Sequence, residues 1–273
     1  IRMLPITANI SRNMINLSHH NESVKIIFDD FEKFKRENKN NYLDNSTNDE
    51  FKSIKLKNIF FKYPSSKSPV FENLSLEVNA NECIGIIGKS GSGKTTLIDL
   101  LLGLLKPQKG SIFINDNIIK DKNLHLSKIT AYLPQQALIL ESSIVDNIVL
   151  ENNKKKVDQS KLIESIENAD LSSLINNLPK KYESKLSDEG LRFSGGQNQR
   201  LALARIFYHA KDIIVMDEAT SSLDMETEKK IVENINKFKG KKTVIVITHK
   251  SSTLKNVDKV FEIKNGKLIN VEN

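Results

Sequence analysis

Gly88-Lys89-Ser90-Gly91-Ser92-Gly93-Lys94-Thr95 sets glycines, a lysine and a hydroxyl at the spacing G-x-x-x-x-G-K-[ST]. Glycines let backbone N–H groups turn inward and approach a polyphosphate closely. At this spacing the lysine reaches the terminal phosphates and the Thr95 hydroxyl can ligate magnesium. The flanks supply the context that the spacing needs. Cys83-Ile84-Gly85-Ile86-Ile87 is a short apolar run with the pattern of a buried strand, and Thr96-Leu97-Ile98-Asp99-Leu100-Leu101 opens a buried helix. That helix N-terminus adds partial positive charge. A glycine-rich turn without function would need neither flank.

Other polar groups fall at strand ends. Asp217 follows Ile213-Ile214-Val215-Met216 and is placed to hold the water shell of a magnesium ion. Glu218 comes next and can orient and polarise an attacking water. His249 ends the β-branched run 243–248 and can donate to a γ-phosphate; Gln135 sits in a turn after the strand-like 129–133. Tyr63 offers a flat ring for an adenine face. Taken singly, His249, Gln135 and Tyr63 read equally well as structural residues. Ser194-Gly195-Gly196-Gln197 opens a helical run at 198–208, and its N–H groups and dipole can grip a phosphate as the first loop does. About a hundred residues and a helical insertion separate the two loops, so both cannot easily serve one phosphate within one chain. One resolution is a nucleotide held mainly by another copy of the protein.

The elements that must position these groups are legible as periods. Ile54 and Leu56 alternate with lysines, as Leu74, Leu76 and Val78 alternate with polar residues; both predict half-buried strands. Ser111-Ile112-Phe113-Ile114 is a further strand, and Asn265-Gly266 marks a hairpin between 260–263 and 267–269. Residues 141 to about 187 read as helical, with Leu162, Ile163, Ile166, Leu171, Leu174, Ile175 and Leu178 as the apolar face and Pro179 as the stop. A second amphipathic helix is expected over 227–238. Strands alternating with helices argue for a parallel sheet, and ligands bind at the carboxyl ends of such strands. The phosphate loop, Asp217-Glu218 and His249 all fall there.

The chain has 273 residues and a formal net charge of +7. Its lysines are scattered among asparagines in short clusters such as Lys154-Lys155-Lys156, without aromatic interleaving. A solvated surface is favoured over a nucleic-acid face, and a basic surface facing a membrane stays open. Cys83 stands alone, which excludes an internal disulfide and fits a reducing compartment. There is no apolar run near the roughly 20 residues of a membrane helix, so a soluble chain is expected. Its start at Ile1 suggests a piece of a longer protein. Over residues 1–34, Ile10, Met14, Leu17, Val24, Phe28, Phe31 and Phe34 form a thin apolar stripe on a helix that should pack on a partner, or else dock on its own domain. Residues 35–50 read as a linker.

Together these features resemble the nucleotide-binding domain of ATP-binding cassette (ABC) transporters, in the exporter branch, over residues 51–273. The residues 88–95 look like the Walker A loop, with Thr96 following it, and Ser194-Gly195-Gly196-Gln197 like the signature motif. The strand 213–218 looks like Walker B, Gln135 like the Q-loop residue, Ser221-Ser222-Leu223-Asp224 like the D-loop, His249 like the switch histidine and Tyr63 like the adenine-stacking aromatic. The resemblance implies an α/β fold: a P-loop NTPase core with a mainly parallel sheet, an antiparallel β-subdomain and an inserted α-helical subdomain at about 141–205. It implies ATP and Mg2+ as cofactors, with Thr95, Gln135 and Asp217 around the metal. Two copies would pair head to tail, each ATP held by Walker A of one chain and, in trans, by Ser194, Gly195, Gly196 and Gln197 of the other. Glu218 would be the general base or water-positioning residue, His249 would stabilise the transition state, and Gln135 would sense the γ-phosphate.

The same resemblance puts Asp188-Glu189-Gly190 where exporters touch their membrane domain. It makes residues 1–34 the cytoplasmic end of the last membrane helix, on the cytoplasmic face of a membrane, with no nucleic-acid partner. The Leu4-Pro5 start is similar to exporters that flip lipids or lipid-linked sugars. Phe193, Ser222 and Asp188 depart from the commoner leucine, alanine and glutamate, but no catalytic group is lost. The alternatives are a soluble cassette ATPase, an importer-type cassette acting with a separate partner, and a non-catalytic regulatory module. The insertion is too short for the coiled coil of the first, importers usually lack such a lead helix, and Lys94, Asp217, Glu218 and His249 oppose the last.

Overall fold

A computed structural model describes residues 3–39, 50–119, 124–151, 157–186 and 192–271. The chain divides into two compact units, Ile1–Asp49 and Glu50–Asn273. In the first, helix α1 (Met3–Lys39) continues past the expected end at residue 34 into the segment read as a linker. Of its stripe, Ile10, Met14, Val24, Phe28 and Phe31 are exposed; the side chains of Leu17 and Phe34 lie outside the described residues. No described helix is long and apolar enough to cross a membrane.

The second unit runs β1 (Ser53–Phe61), β2 (Phe71–Asn79), β3 (Cys83–Gly88), α2 (Lys94–Leu101), β4 (Lys109–Ile114), β5 (Asn117–Ile118), α3 (Leu124–Ile129) and β6 (Thr130–Leu133). It continues with α4 (Ile144–Val149), α5 (Gln159–Asn168), α6 (Ser172–Asn176), a 3-10 turn at Lys181–Glu183 and α7 (Gly195–His209). It closes with β7 (Ile213–Asp217), α8 (Met225–Asn236), β8 (Thr243–Ile247), α9 (Ser251–Leu254), β9 (Lys259–Lys264) and β10 (Lys267–Val271).

Among the described residues these strands form two sheets. An antiparallel one has the order β2-β1-β4-β5, and a second has the order β10-β9-β3-β8-β7-β6. In the second sheet β9, β3, β8, β7 and β6 are parallel, and only the β9–β10 hairpin is antiparallel. Asn265 (φ 51°) and Gly266 (φ 71°) supply the two left-handed residues that a twist-matched two-residue hairpin needs.

The parallel strands are buried on both faces, so side-chain alternation sorts their residues between two cores rather than between core and solvent. Ile84, Ile86, Ile213, Val215, Ile245 and Ile247 pack with the antiparallel sheet and with Leu97, Ile98, Leu100 and Leu101 of α2. Ile214, Met216, Val244 and Val246 point the other way, onto Ile144 and Ile148 of α4, Leu162 of α5 and Leu201 and Leu203 of α7. Each such side chain, once removed from water, contributes about 1.5–3 kcal/mol.

The helical insertion corrects the sequence reading in one respect. Residues 141–186 do not form one long helix but several short ones. Leu150 (φ 54°) and Asp170 (φ 55°) take left-handed conformations that end helical runs without a glycine to announce it. Two of these short helices carry side-chain caps: Ser143 accepts from the Asp146 N–H ahead of α4, and Asp158 from the Ser160 and Lys161 N–H groups ahead of α5. The apolar period crosses these breaks because Leu162, Ile166, Leu171 and Ile175 all feed one core. The helix expected at 198–208 starts earlier, at Gly195, and that expected at 227–238 starts at Met225. Asp188-Glu189-Gly190 and the Lys154-Lys155-Lys156 cluster lie outside the described residues.

Candidate functional site

The glycine loop joins β3 to α2 at the carboxyl end of the parallel sheet. Its geometry explains its composition. Gly93 caps α2 in the left-handed region (φ 103°), and a Cβ there would lie 2.7 Å from Val70 Cγ1 and 3.0 Å from Phe71 Cζ. A side chain is excluded twice over, by conformation and by space. Lys94 folds back on the loop: its Nζ donates to the carbonyls of Gly88 (2.8 Å) and Lys89 (3.0 Å), which sets the ammonium over the loop. Ser92 Oγ is buried without a hydrogen-bond partner, although buried polar atoms seldom remain unpaired. A phosphate oxygen would satisfy it.

Asp217 ends β7 almost fully buried, and its Oδ2 accepts from Thr95 Oγ1 at 3.3 Å. Burial pushes its carboxyl up from the usual range, and the Glu218 charge adds to this. A buried carboxylate with a hydroxyl beside it, next to a phosphate loop, suits Mg2+. This ion commonly takes one or two carboxylates and fills its remaining positions with other oxygens, water and phosphate.

Glu218 follows at φ 52°, a conformation that costs energy for a residue with a Cβ. Its N–H is held by the Ile247 carbonyl of β8 at 2.9 Å. Its carboxylate oxygens face two of the residues read from the sequence. Gln135 Nε2 donates to Oε2 at 2.9 Å, and His249 Nε2 lies 3.6 Å from Oε1. The sheet order accounts for the meeting: β6, β7 and β8 are neighbours, and their ends deliver Gln135, Asp217-Glu218 and His249 respectively. Tyr63, half-buried, stands perpendicular to Phe61 (centroids 4.9 Å apart) and shares a hydrogen bond between its hydroxyl and Thr96 Oγ1 at 3.1 Å. Tyr63, Ser90, Gly91, Lys94, Thr95, Thr96, Gln135, Asp217, Glu218 and His249 all line one open cleft.

Ser194, Gly195, Gly196 and Gln197 are not among that lining. They form the N-terminal turn of α7, with Ser194 and Gly195 exposed. Ser194 Oγ accepts from the Gln197 N–H at 3.3 Å, and Gln197 Oε1 accepts from the Ser194 N–H at 2.8 Å, a reciprocal capping box. Asp224 caps α8 by accepting from the Thr227 N–H at 3.0 Å, and this bond holds its carboxyl below the usual range.

Three polar side chains here carry more than the sequence reading assigned. Gln199 of α7, buried, reaches the turn after β7. Arg205 of α7 donates to the carbonyls of Asn147 and Leu138 and to Asn147 Oδ1. Lys250, next to His249, donates to the Thr220 carbonyl and pairs with Glu228 of α8. Nothing local signals them, because their partners lie 19 to 67 residues away along the chain.

Comparison with known proteins bears on this arrangement. The family model described as ABC transporter matches residues 71–221. The chain is 36% identical over 211 residues to ABC transporter B family member 14 of Arabidopsis thaliana, covering 77% of this chain and 17% of that protein. It is 38% identical over 216 residues to the chloroplastic B family member 29 of the same plant, covering 79% of this chain and 34% of that one. It is 33% identical over 221 residues to an ATP-dependent lipid A-core flippase of Saccharophagus degradans, covering 81% and 37%. Among solved structures, a bacterial Atm1-family ABC exporter with ATP bound matches with a TM-score of 0.72 and 29% identity, over 80% of this chain and 38% of that one. The chain thus spans well under half the length of each of these relatives.

Proposed function

The chain belongs to the ABC transporter family, and on that premise we propose that it is the ATP-binding and ATP-hydrolysing motor domain of an exporter, working as a head-to-tail pair of identical cassettes. The observation that carries the reading is the cleft in which Lys94, Thr95, Gln135, Asp217, Glu218 and His249 converge on one sheet edge. Lys94 and the loop amides bind the β- and γ-phosphates of ATP, and Tyr63 holds the adenine face. Thr95, Asp217 and Gln135 would hold Mg2+, which when bound neutralises charge on the phosphate oxygens. Glu218 orients a water and takes up its proton as the oxygen–phosphorus bond forms and the bond to the β-phosphate oxygen breaks. His249 donates to the γ-phosphate as charge builds on it.

The capped, exposed end of α7 supports the second part of the proposal. It keeps two glycine N–H groups available outside the cleft of its own chain, in position to complete a site on another copy. Partner membrane helices, placement at the cytoplasmic face of a membrane, and a lipid or lipid-linked sugar as cargo belong to the same proposal. So does the division into a membrane-helix extension, expected over 1–34 but helical on to Lys39, a linker up to residue 50, and 51–273 as cassette. A relative named as a flippase and the length of the relatives support these points.

The test uses Glu218→Gln. Turnover should fall by about 10²–10⁴ while ATP binding is kept, and light scattering should show monomers becoming dimers on ATP addition. Turnover at the unmodified level would remove Glu218 from its role. Monomers with ATP bound would remove the shared-site pairing.

A further inference from the structure

Gln199, a residue only 7% exposed, makes three hydrogen bonds with its side chain. Its Nε2 donates to the Glu218 carbonyl at 2.9 Å and to Ser221 Oγ at 3.3 Å, and its Oε1 accepts from the Ser222 N–H at 3.0 Å. Both ends of one amide are therefore spent on a single turn, the one that leads from Glu218 to the cap of α8 at Asp224. On α7, Gln199 lies three and four residues after Gly196 and Gly195, so it projects from the helix face above them. The backbones meet at the same place: a Cβ on Gly196 would lie 2.9 Å from the Ser222 carbonyl oxygen. The helix end and the turn thus touch through a glycine and are bonded through an amide one helical turn further on.

The turn has little freedom to absorb a displacement. Glu218 sits at φ 52° with its N–H on the Ile247 carbonyl, and the Thr220 carbonyl is held by Lys250. A shift of the α7 end must therefore carry the Ser222 N–H and the Glu218 carbonyl with it, or break bonds to a buried amide. Leaving such a group unpaired is costly, because its lost hydration is not replaced.

We infer that Gln199 is a positioning residue that transmits the engagement of the α7 end by one nucleotide to the direction of the Glu218 carboxylate serving the other. The inference rests on the shared-site pairing proposed above. In that pairing, the helix end of a chain grips a phosphate of its partner's ATP while Glu218 acts on the ATP in its own cleft. Gln199 joins the two within one chain, so the two sites of a dimer become coupled.

Gln199→Met keeps the length and loses all three hydrogen bonds; Gln199→Glu keeps the acceptor for Ser222 N–H and loses the donor to the Glu218 carbonyl. Both would be compared with the unmodified chain in thermal melting, equilibrium titration with a fluorescent ATP analogue, and steady-state ATPase over a range of ATP concentrations. The expected result is analogue binding within about twofold, and kcat lowered about tenfold or more with KM little changed, since small misplacements of a reacting group are costly. A Hill coefficient above 1 in the unmodified chain should fall towards 1 in both variants. If the Met variant fails to fold, the Glu variant carries the test. Unchanged kcat and Hill coefficient in a folded variant, or losses of binding and turnover in parallel, would overturn the inference and leave the ATPase reading standing. An unmodified chain that binds ATP without hydrolysing it would overturn both.

Discussion

At the scale of the residue, the cleft trades stability for chemistry. Asp217 is buried beside Glu218, and its carboxyl is raised by that burial and that charge. A carboxyl raised in the folded state binds more protons there than in the unfolded chain. Its unfavourable contribution is therefore absent at low pH and appears as pH rises through the folded value. At neutral pH the empty protein carries it in full. Asp217→Asn should then raise the melting temperature of the nucleotide-free chain, by roughly 2–4 °C for each kcal/mol relieved. The same change should abolish magnesium-dependent turnover. Scanning calorimetry at pH 7 checks the first half, and a melting temperature that falls would mean that the Thr95 bond outweighs the burial cost. Lys94, Thr95, Asp217 and Glu218 were legible in the sequence because each occupies a fixed offset from an apolar strand. Gln199 was not, since a glutamine in a helix looks the same whether it meets water or a buried carbonyl.

At the scale of the element, α7 is the member to which the others are fastened. Arg205 inserts its guanidinium among the carbonyls of Asn147 and Leu138, and burial makes its charge less favourable, with no carboxylate paired to it among the described residues. Asn147, fully buried, spends its amide on the Leu140 and Ser143 carbonyls and on the Leu140 N–H. Arg205→Met should lower stability by about 1–3 kcal/mol, because it strips donors from the acceptors of the buried Asn147. Urea denaturation measures it, and a loss below 0.5 kcal/mol would show that water replaces the guanidinium. The strands of this region were plain from alternation and β-branching. The subdivision of 141–186 was not, because Leu150 and Asp170 turn left-handed without glycine while the apolar period continues through them.

At the scale of the whole molecule, all the buried apolar side chains among the described residues belong to the unit Glu50–Asn273, from Phe51 to Ile263. Removing residues 1–49 should therefore leave one cooperative melting transition within about 2 °C of the intact chain, and unaltered nucleotide binding. A drop of 5 °C or more, roughly 1–2 kcal/mol at this size, would mean that the lead segment contributes to the stability of the cassette. The order of the second sheet has a further consequence, in time rather than in space. β8 is inserted between β3 and β7, so until it arrives these two strands have no common neighbour. The loop at Gly88 leaves the ribosome roughly 160 residues before Ile247 does. At about 5–20 residues per second that is a delay of roughly 8–30 s. A nascent chain therefore presents its phosphate loop long before it has a sheet to brace it, and competence to hold a nucleotide waits on the arrival of β8.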